Sequence, residues 1–397
     1  MRTKRSLFRL ASLGAASAVL FAACTTAATT APTAAPTAAP TAAPTAAASS
    51  ASAAPSASAD AMASLVTAAK AEGTLNVIAL PRDWCNYGAI LDGFTAKYGI
   101  KINSINPDGG SGDELTAITA NKGSTGPSAP DVVDVGFAFG PQAKTQGLIQ
   151  PYKVATWDTI DASVKDADGF WYGDYYGVLS FAVDTKVITD VPADWSDLLK
   201  SEYKNEVALA GDPLVSNQAI QSVYASALAN SGSLDNAQPG LDFFKKLNDA
   251  GNLVHTIAKG ANGETPIVIT WNYLAAAGAD AAVKAGGDPI VTVIPKTGRF
   301  GGIYVQAISA FAPHLNAAKL WEEYLYSDTG GQAGWLAGYC YTTRYADLKS
   351  RSAIDPAVAA KLPDVTGAVF PTGAQLTTAK ALITGQWKAV VGATITK

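Results

Sequence analysis

Short apolar runs alternate with helically spaced apolar residues along the chain from about residue 72 onward. The run at 72–80 predicts a strand. In 86–99 the apolar residues recur at helical spacing, and Gly99 is placed as a C-terminal stop. The same reasoning predicts a strand at 100–105, a helix at 113–122 and a strand at 131–136. This alternation with short connections predicts an open, mostly parallel sheet flanked by helices.

A second alternating set begins near residue 177. Apolar runs predict strands at 177–186, 207–212, 266–271, 289–295 and 301–311. Helical spacing predicts helices at 217–230, 241–251, 316–327 and 375–391. Two such sets predict a fold of two α/β lobes rather than one oversized sheet.

The first 58 residues follow a different pattern. Four basic residues within the first nine precede an apolar run at 10–23, which is typical of a secretory signal. That run is shorter than the about 20 residues of an ordinary membrane span. Residues 25–58 are only Thr, Ala, Pro and Ser, and they lack the apolar mass that would offset the entropy of ordering. We therefore expect a signal at 1–23 and a disordered tether at 24–58.

Cys24 lies between these two segments, and three interpretations compete. It is a residue discarded with the signal, a packed core thiol, or the first residue of the mature chain. The small residues Ala22 and Ala23 before it resemble a bacterial lipobox, in which cleavage leaves a lipid-modified N-terminal cysteine. Phe21 departs from the leucine that is more usual three residues before that cysteine. The favoured interpretation is a lipoprotein whose only membrane contact is this anchor.

Charge and motif content exclude several function classes. The chain has 29 basic and 33 acidic residues, and the four basic residues of the signal make the exported part still more acidic. This balance argues against binding to nucleic acid or to anionic lipid. The only histidines, His255 and His314, make a histidine-rich metal site or a catalytic triad improbable. No phosphate-loop or nucleophile-elbow motif is present, so we expect a monomeric binder without metal or cofactor.

Two further cysteines, Cys85 and Cys340, remain in the exported part of the chain. In an oxidising compartment an even pair predicts a disulfide, and the alternative is two buried thiols.

Several stretches in order, among them APDVVDVGFAFGPQAKTQGLIQPY and PHLNAAKLWEEYLYSDTGGQAGWL, carry a resemblance through nearly the whole exported domain. The chain resembles an extracellular solute-binding protein of an ABC importer with the type II periplasmic-binding fold. Within that class it is most similar to binding proteins for polyamines, ferric iron and related small solutes.

The resemblance implies a first lobe at 59–178, a second at 179–300, and a segment at 301–397 that returns to the first lobe. Crossover strands are expected near 177–184 and 301–311. Solute would lie in the cleft at the carboxyl ends of the strands. Lobe closure would be read by an ABC permease and its ATPase on the outer face of the cytoplasmic membrane, or on the periplasmic side where an outer membrane is present.

Loops after the predicted strands supply the candidate ligand contacts. Asn86 also fits a helix cap, and Ser111 with Glu114 fits a capping box better than an anion pocket. Alternation in an extended chain places Asp174 and Tyr176 on one face and Tyr175 on the other. The candidate solute-binding residues are Asp83, Trp84, Asn86, Ser111, Asp174, Tyr176, Asn217, Trp271, Asn272 and Tyr304.

The residues after the strand at 266–271 bear on the kind of solute. Iron-binding relatives use two adjacent tyrosines in a comparable place, whereas here Trp271 and Asn272 precede Tyr273. An indole cannot ligate iron, but its face attracts a cation by about 2 kcal/mol or more when desolvated. We therefore expect a cationic amine such as a polyamine. The alternative solutes are ferric iron or an anion such as a phosphonate. A second alternative is a lipid-anchored enzyme on the same fold. The enzyme is disfavoured because only carboxylates and tyrosines remain for acid–base chemistry.

Overall fold

A computed structural model describes residues 54–396 of the chain. The predicted signal, Cys24 and the tether up to residue 53 lie outside these described residues. The first helix begins at Ala54, so residues 54–58, expected to belong to the disordered tether, are helical. Among the helices of this described part, none is long and apolar enough to cross a membrane.

The strands and helices follow one another in the predicted alternating order. The strands are β1 (Thr74–Ile78), β2 (Lys101–Ile105), β3 (Val132–Gly136), β4 (Ile149–Gln150), β5 (Tyr172–Asp184), β6 (Val207–Leu209), β7 (Ile267–Trp271), β8 (Ile290–Val293), β9 (Gly301–Ser309) and β10 (Tyr341–Thr342). The helices are α1 (Ala54–Glu72), α2 (Tyr87–Tyr98), α3 (Ser111–Ala120), α4 (Phe139–Thr145), α5 (Asn217–Ala229), α6 (Gln238–Asp249), α7 (Asn272–Lys284), α8 (Leu315–Leu325), α9 (Ala333–Ala337), α10 (Tyr345–Ser350), α11 (Pro356–Ala359) and α12 (Gly373–Val390).

The first lobe is built around β1, which pairs in parallel with β2 on one side and β3 on the other. Four of the five residues of β1 and all five of β3 are buried, as expected of apolar runs covered on both faces. Helix α2 buries the face that carries Ile90, Leu91 and Phe94, and it ends where Gly99 adopts a positive φ of 72°. These elements match the pattern of apolar positions in the sequence.

Helix α1 is attached to the first lobe by a carboxylate at a helix N-terminus. Glu72 accepts hydrogen bonds from the backbone N–H groups of Asn316 and Ala317, at 3.1 and 2.7 Å, in the first turn of α8. Unsatisfied N–H groups and the helix dipole make this end of a helix a favourable place for a negative charge. The contact ties the start of the described chain to the helix that follows β9.

Strand β5 is long enough to belong to both lobes. Its first half, up to Val178, pairs with β9, and from Leu179 to Asp184 it pairs with β7 and β8. The change of partner falls inside the stretch where the first crossover is expected. Strand β9 pairs with β3 of the first lobe along Tyr304–Ile308 and with β5 from Gly301 onward. Because β5 is shared, the strands form one continuous hydrogen-bonded path in the order β2-β1-β3-β9-β5-β7-β6.

Strand direction is more mixed than the sequence pattern predicts. The pairings of β1 with β2 and β3, and of β6 with β7, are parallel. Every pairing that β5 and β9 make in the described chain is antiparallel. Local apolar patterns locate strands but carry little information on direction, which depends here on how the two crossover strands meet.

The C-terminal helix packs mainly against the second lobe, although Lys380 Nζ also lies 4.2 Å from the Phe139 ring centroid of the first lobe. Helix α12 packs against α5 and α6, and Trp387 on α12 contacts Phe244 on α6 with ring centroids 5.7 Å apart. The Asn248 side chain donates to the Val391 carbonyl at 2.9 Å, directly after α12. The expectation that all of 301–397 belongs with the first lobe is therefore wrong for α12, because its buried apolar face covers helices of the second lobe.

Strand β5 also contains an irregularity that changes which side chains share a face. Gly173 lies opposite Val305 and Tyr176 lies opposite Ile303, so three steps on β5 match two on β9. A β-bulge of this kind breaks strict alternation of side chains. The prediction that Asp174 and Tyr176 share a face is wrong for this reason.

Candidate functional site

The loop between β1 and α2 brings an indole back toward the end of the sheet. Within this loop, residues 79–86 and hereafter the Trp84 loop, Ala79, Cys85 and Asn86 have positive φ values of 53°, 45° and 63°. Non-glycine residues adopt this region only when their surroundings hold them there. Asn86 is at the N-cap of α2 as anticipated, but its side chain makes no cap hydrogen bond and donates instead to the Gly334 carbonyl at 3.0 Å.

Five aromatic side chains meet where the two lobes adjoin, and we call them the aromatic cluster. The Trp84 ring meets Tyr273 and Tyr304 edge-on, each with centroids 5.8 Å apart. Tyr304 stacks on Tyr175 at 5.4 Å, and Trp271 stacks on Tyr273 at 6.3 Å. They come from the Trp84 loop, both crossover strands and the junction of β7 with α7. Three of these residues, Trp84, Trp271 and Tyr304, were among the candidates from the sequence.

Two glycines on the crossover strands make room for this cluster. A Cβ on Gly302 of β9 would lie 2.2 Å from Cη2 of Trp271. A Cβ on Gly177 of β5 would lie 2.5 Å from Cε1 of Tyr273. Both distances are far below van der Waals contact, so only glycine allows the rings of the second lobe to lie against these strands.

Two carboxyl groups are buried directly beside the cluster, and we call Asp134 and Asp174 the carboxyl pair. Asp134 Oδ2 accepts hydrogen bonds from the hydroxyls of Tyr87 at 2.7 Å and Tyr175 at 3.2 Å. Asp174 accepts from the Gln306 side chain at 2.8 Å. Neither carboxyl group forms an ion pair with a Lys, Arg or His side chain within residues 54–396.

Burial without a basic partner shifts the protonation of this pair. Burial raises the pKa of Asp134 to about 7. Burial, together with the neighbouring negative charge of Asp134, raises the pKa of Asp174 well above its usual range. Burial also raises the pKa of Tyr175 and Tyr273 well above the ordinary tyrosine value. At neutral pH burial therefore favours the protonated forms of the phenols and of Asp174, and Asp134 is near its midpoint.

The N-terminus of α3 is organised differently from the predicted capping box. Ser111 is the first residue of the helix rather than its cap, and its hydroxyl accepts from the Gly136 N–H at 3.0 Å. Asp113 accepts from the Gly110 N–H at 3.0 Å, while Glu114 turns inward and accepts from the Asp134 N–H at 2.9 Å. Burial raises the pKa of Glu114 well above its usual range. The expected pairing of Ser111 with Glu114 is wrong because both side chains satisfy backbone groups of β3.

Asn217, at the first turn of α5, completes the site from the second lobe. A Cβ on Gly136 would lie 2.9 Å from Asn217 Nδ2, so α5 closely approaches the end of β3. Asn217 Oδ1 accepts a hydrogen bond from the Gln221 side chain at 3.1 Å, and Asn217 Nδ2 has no hydrogen-bond partner among the described residues. Burial raises the pKa of the Tyr304 hydroxyl, and the nearby Asn217 and Trp271 offset only part of that rise, since neither donates a hydrogen bond to it.

Several buried polar atoms around the cluster have no hydrogen-bond partner among the described residues. The donors are Trp84 Nε1, Trp271 Nε1 and Asn217 Nδ2, and the acceptors are Asp134 Oδ1, Gln221 Oε1 and Gln306 Oε1; the Tyr273 hydroxyl is also free. Buried polar groups are normally satisfied, so their concentration at one junction is the expected property of a binding site. Asp134 Oδ1 is also available to the proton of Asp174.

Besides Asn86, whose side chain donates to the Gly334 carbonyl, three candidate residues do not contribute side chains to this group. Asp83 is exposed on the Trp84 loop. Tyr176 is turned away by the bulge and stacks on Tyr341 at 5.3 Å. Asn272 is buried, but its Oδ1 accepts from the Val178 N–H at 2.7 Å, so it holds the crossover strand.

The two remaining cysteines form the predicted disulfide. Cys85 and Cys340 are joined with their Cα atoms 5.9 Å apart.

Sequence reasoning missed four members of the site: Asp134, Tyr175, Tyr273 and Gln306. The acidic residue in the middle of the apolar run 131–136 was a usable signal, since a carboxylate inside a buried strand requires a partner. Tyr175 and Gln306 carried no local signal, because their roles depend on the bulge and on the register of β9. Tyr273 was noted after Trp271 and Asn272 but was not included among the candidates.

Two cavities lie away from this junction. One of about 390 Å³ is lined by Leu228, Lys296, Gly298, Arg299, Thr366, Gly367 and Val369. The other, of about 410 Å³, is at the edge of β1 and β2 and includes His314. Neither contains residues of the cluster or the carboxyl pair, so we assign the site from its converging unsatisfied groups rather than from cavity size.

Comparison with known proteins agrees with this architecture. Residues 128–361, more than half of the chain, match the family described as bacterial extracellular solute-binding protein. An uncharacterized protein of Haemophilus influenzae is 30% identical over 267 residues, which are 62% of this chain and 70% of that protein.

Solved structures share the two-lobed fold at low identity. The periplasmic binding protein AfuA of Actinobacillus pleuropneumoniae, with fructose-6-phosphate bound, is 23% identical with a TM-score of 0.60, over 80% of this chain and 99% of its own. Iron-bound HitA of Pseudomonas aeruginosa is 18% identical with a TM-score of 0.59, over 78% and 99%. The spermidine/putrescine binding protein PotD of Streptococcus pneumoniae is 15% identical with a TM-score of 0.55, over 80% and 99%. The chain belongs to the family of bacterial extracellular solute-binding proteins.

Proposed function

We propose that this chain is the solute-binding component of an ABC importer and that its solute carries an ammonium group. The observation that carries the proposal is the position of the carboxyl pair. Two buried acids without a basic partner lie beside five aromatic rings, at the junction of the two lobes. The cleft of this fold is the place where a solute would be enclosed.

An ammonium group suits this junction for two physical reasons. Ring faces attract a cation, by about 2 kcal/mol or more when water is excluded. A desolvated carboxylate is costly unless it is paired, so a cationic solute would supply the charge that Asp134 lacks in the described chain. The spermidine/putrescine protein with the same fold supports this class of solute, but at 15% identity it supports no more than that.

An anionic solute is the second candidate, and a specific observation favours it. The unpartnered donors Trp84 Nε1, Trp271 Nε1 and Asn217 Nδ2 are suited to phosphate or phosphonate oxygens, and the N-termini of α3, α5 and α7 are near them. The sugar phosphate named for AfuA is of this type. We rank this candidate lower because the ionised form of Asp134 would repel an anion.

Ferric iron is a weaker alternative. Three tyrosines, Tyr175, Tyr273 and Tyr304, meet in the cluster, and HitA is an iron-bound relative in fold. Phenols must lose their protons to ligate iron, and burial raises the pKa of all three. The match to a family of solute-binding proteins supports a binder rather than an enzyme.

The remaining parts of the proposal concern location and partners. The signal-like residues 1–23 and the lipobox-like position of Cys24 support export and a lipid anchor on the outer face of the cytoplasmic membrane. The Thr/Ala/Pro-rich tract would act as a tether for a monomeric binder near its permease and ATPase.

The test is a ligand screen with opposite charges. Melting temperature and calorimetric affinity of the full-length chain would be measured with spermidine, putrescine and choline, then with fructose 6-phosphate, methylphosphonate and ferric citrate. A ligand at a hundredfold excess over its Kd adds about 2.7 kcal/mol of stability. Stabilisation by amines alone supports the proposal, and stabilisation by phosphate, phosphonate or iron alone replaces it with the corresponding alternative.

A further inference from the structure

The disulfide joins two segments that are 255 residues apart in sequence. Cys85 belongs to the Trp84 loop, and Cys340 belongs to residues 338–340, hereafter the Tyr339 segment. Both sulfur-bearing residues are buried. The bond therefore fixes the distance between a loop of the first lobe and the segment that leads into β10.

Each cysteine is adjacent to an aromatic residue that contacts the second lobe. Trp84, before Cys85, meets the rings of Tyr273 and Tyr304. Tyr339, before Cys340, donates its hydroxyl to Asp280 on α7, and its carbonyl accepts from Asn272 at 3.4 Å. The disulfide is thus flanked by two separate contacts to α7, one at Tyr273 and one at Asn272 and Asp280.

The Trp84 loop needs external support to keep its shape. Three of its eight residues have positive φ without being glycine. The support comes from the Tyr339 segment and α9: Gly338 packs so closely that a Cβ there would lie 2.7 Å from the Cys85 carbonyl carbon, and Asn86 donates to Gly334. The disulfide is the only covalent part of this support in the described chain.

From these contacts we propose that the Cys85–Cys340 disulfide is a positioning element of the solute site: it holds the Trp84 indole against the second lobe, so that solute affinity depends on the oxidised state. The proposal rests on the assignment of the aromatic cluster as the solute site. Cys85 and Cys340 are positioning residues, since they contact the cluster only through their neighbours.

The competing explanation is that the bond stabilises the fold alone. A cross-link over a long loop restricts the unfolded chain and raises the melting temperature whatever its place in the structure. A purely stabilising bond would leave the native Trp84 loop as well protected as before, and it would leave the affinity of the folded protein unchanged.

Hydrogen exchange of the full-length double variant Cys85→Ala/Cys340→Ala distinguishes these explanations without any ligand. We expect amides 80–87 to exchange at least about tenfold faster than in the wild type, while amides 106–110 of the β2–α3 loop are unchanged. Two results would overturn the proposal. One is that all amides exchange faster by the same factor as those at 80–87. The other is that exchange at 80–87 is unchanged although the melting temperature is lower.

Affinity for spermidine, measured on the same two proteins below their melting temperatures, is the second readout. We expect about a tenfold or greater loss in the double variant. If wild-type protein does not bind spermidine or any other amine, the proposed function fails, and the exchange data still decide the role of the disulfide.

A reduced wild-type sample covers the case in which the double variant does not fold. Dithiothreitol cleaves the S–S bond to two thiols and is itself oxidised to its cyclic disulfide, so two electrons are transferred. The same exchange at 80–87 is expected to increase, and removal of the reductant followed by oxidised glutathione should restore the original protection. Protection at 80–87 that persists with both thiols alkylated contradicts the proposal.

Discussion

Asp134 on β3 and Gln306 on β9 are register partners, and the Gln306 amide connects the two halves of the carboxyl pair. It donates to Asp174 at 2.8 Å and to the Tyr87 hydroxyl at 3.0 Å, and Tyr87 in turn donates to Asp134. A crossover strand thus takes part in the hydrogen bonding of both acids. Protonation of the pair and the joining of the two lobes involve the same residues.

Stability of the unliganded protein should fall as pH rises from about 4 to 8. Burial raises the pKa of folded Asp134 to about 7, above the value of about 3.9 for an unperturbed Asp. The folded state therefore holds a proton that the unfolded state has lost, and that contribution is lost as pH rises through 7. The slope approaches about 1.4 kcal/mol per pH unit for one proton. Melting temperatures across this range should show the fall, which Asp134→Asn should flatten and the exposed Asp83→Asn should not.

Amine binding should release a proton near neutral pH. A cation beside the carboxyl pair favours the ionised form of Asp134 and lowers its pKa, so the complex holds fewer protons than the free protein. Spermidine affinity should therefore rise between pH 6 and 8. Calorimetry in buffers of different ionisation enthalpy gives the number of protons directly. Proton uptake on binding would indicate an anionic solute instead.

Two substitutions of Trp84 separate the two solute classes. Trp84→Ala removes both the ring and the indole N–H, and we expect a loss of about 10- to 100-fold in spermidine affinity. Trp84→Phe keeps an aromatic face but removes the donor, so amine affinity should fall only a few-fold. Equal losses in the two variants would show that the Nε1 donor, rather than the ring face, binds the solute. Asp83→Ala is the matched control, since its side chain is exposed on the same loop.

Gly302→Ala should destabilise the protein by about 1 to 3 kcal/mol. The new methyl group would lie 2.2 Å from Trp271 and 2.6 Å from Gln221, and both neighbours are fully or nearly fully buried. The control is Gly278→Ala on the exposed face of α7, where no atom lies within 4 Å. That change should stabilise by up to about 1 kcal/mol. Denaturant unfolding measures both, and similar values for the two variants would contradict the packing argument.

Local pattern was sufficient for the elements but not for the site. The apolar spacing that ends at Gly99 locates α2 to within a residue, because burial of one helix face is a local property of the sequence. The face that Tyr175 presents depends on the bulge opposite Ile303, which is a property of two strands together. In the same way, the partners of Ser111 and Glu114 are backbone groups of β3, which no spacing along α3 could reveal.

The candidates selected from the sequence overlap with the aromatic cluster but are an incomplete set of the residues that meet there. Trp84, Trp271 and Tyr304 could be selected because each follows or belongs to an apolar strand. Of the two acids beside them, Asp174 was among the candidates and Asp134, within a strand, was not, while the candidate Asp83 is exposed. An acidic residue within an apolar run is easily overlooked as a site residue, although a buried carboxylate requires a hydrogen-bonding or charged partner from another part of the fold.

The packing of α12 on α5 and α6 means that the second lobe is not a contiguous piece of the gene product. The polypeptide passes between lobes a third time before residue 373, so a fragment limited to 179–300 would lack the helix that covers Phe244 and would expose that apolar surface to water. The two lobes are therefore interdependent units of folding. Neither can be excised, or exchanged with a relative at the β5 and β9 crossings, without also transferring the C-terminal segment from residue 373 onward.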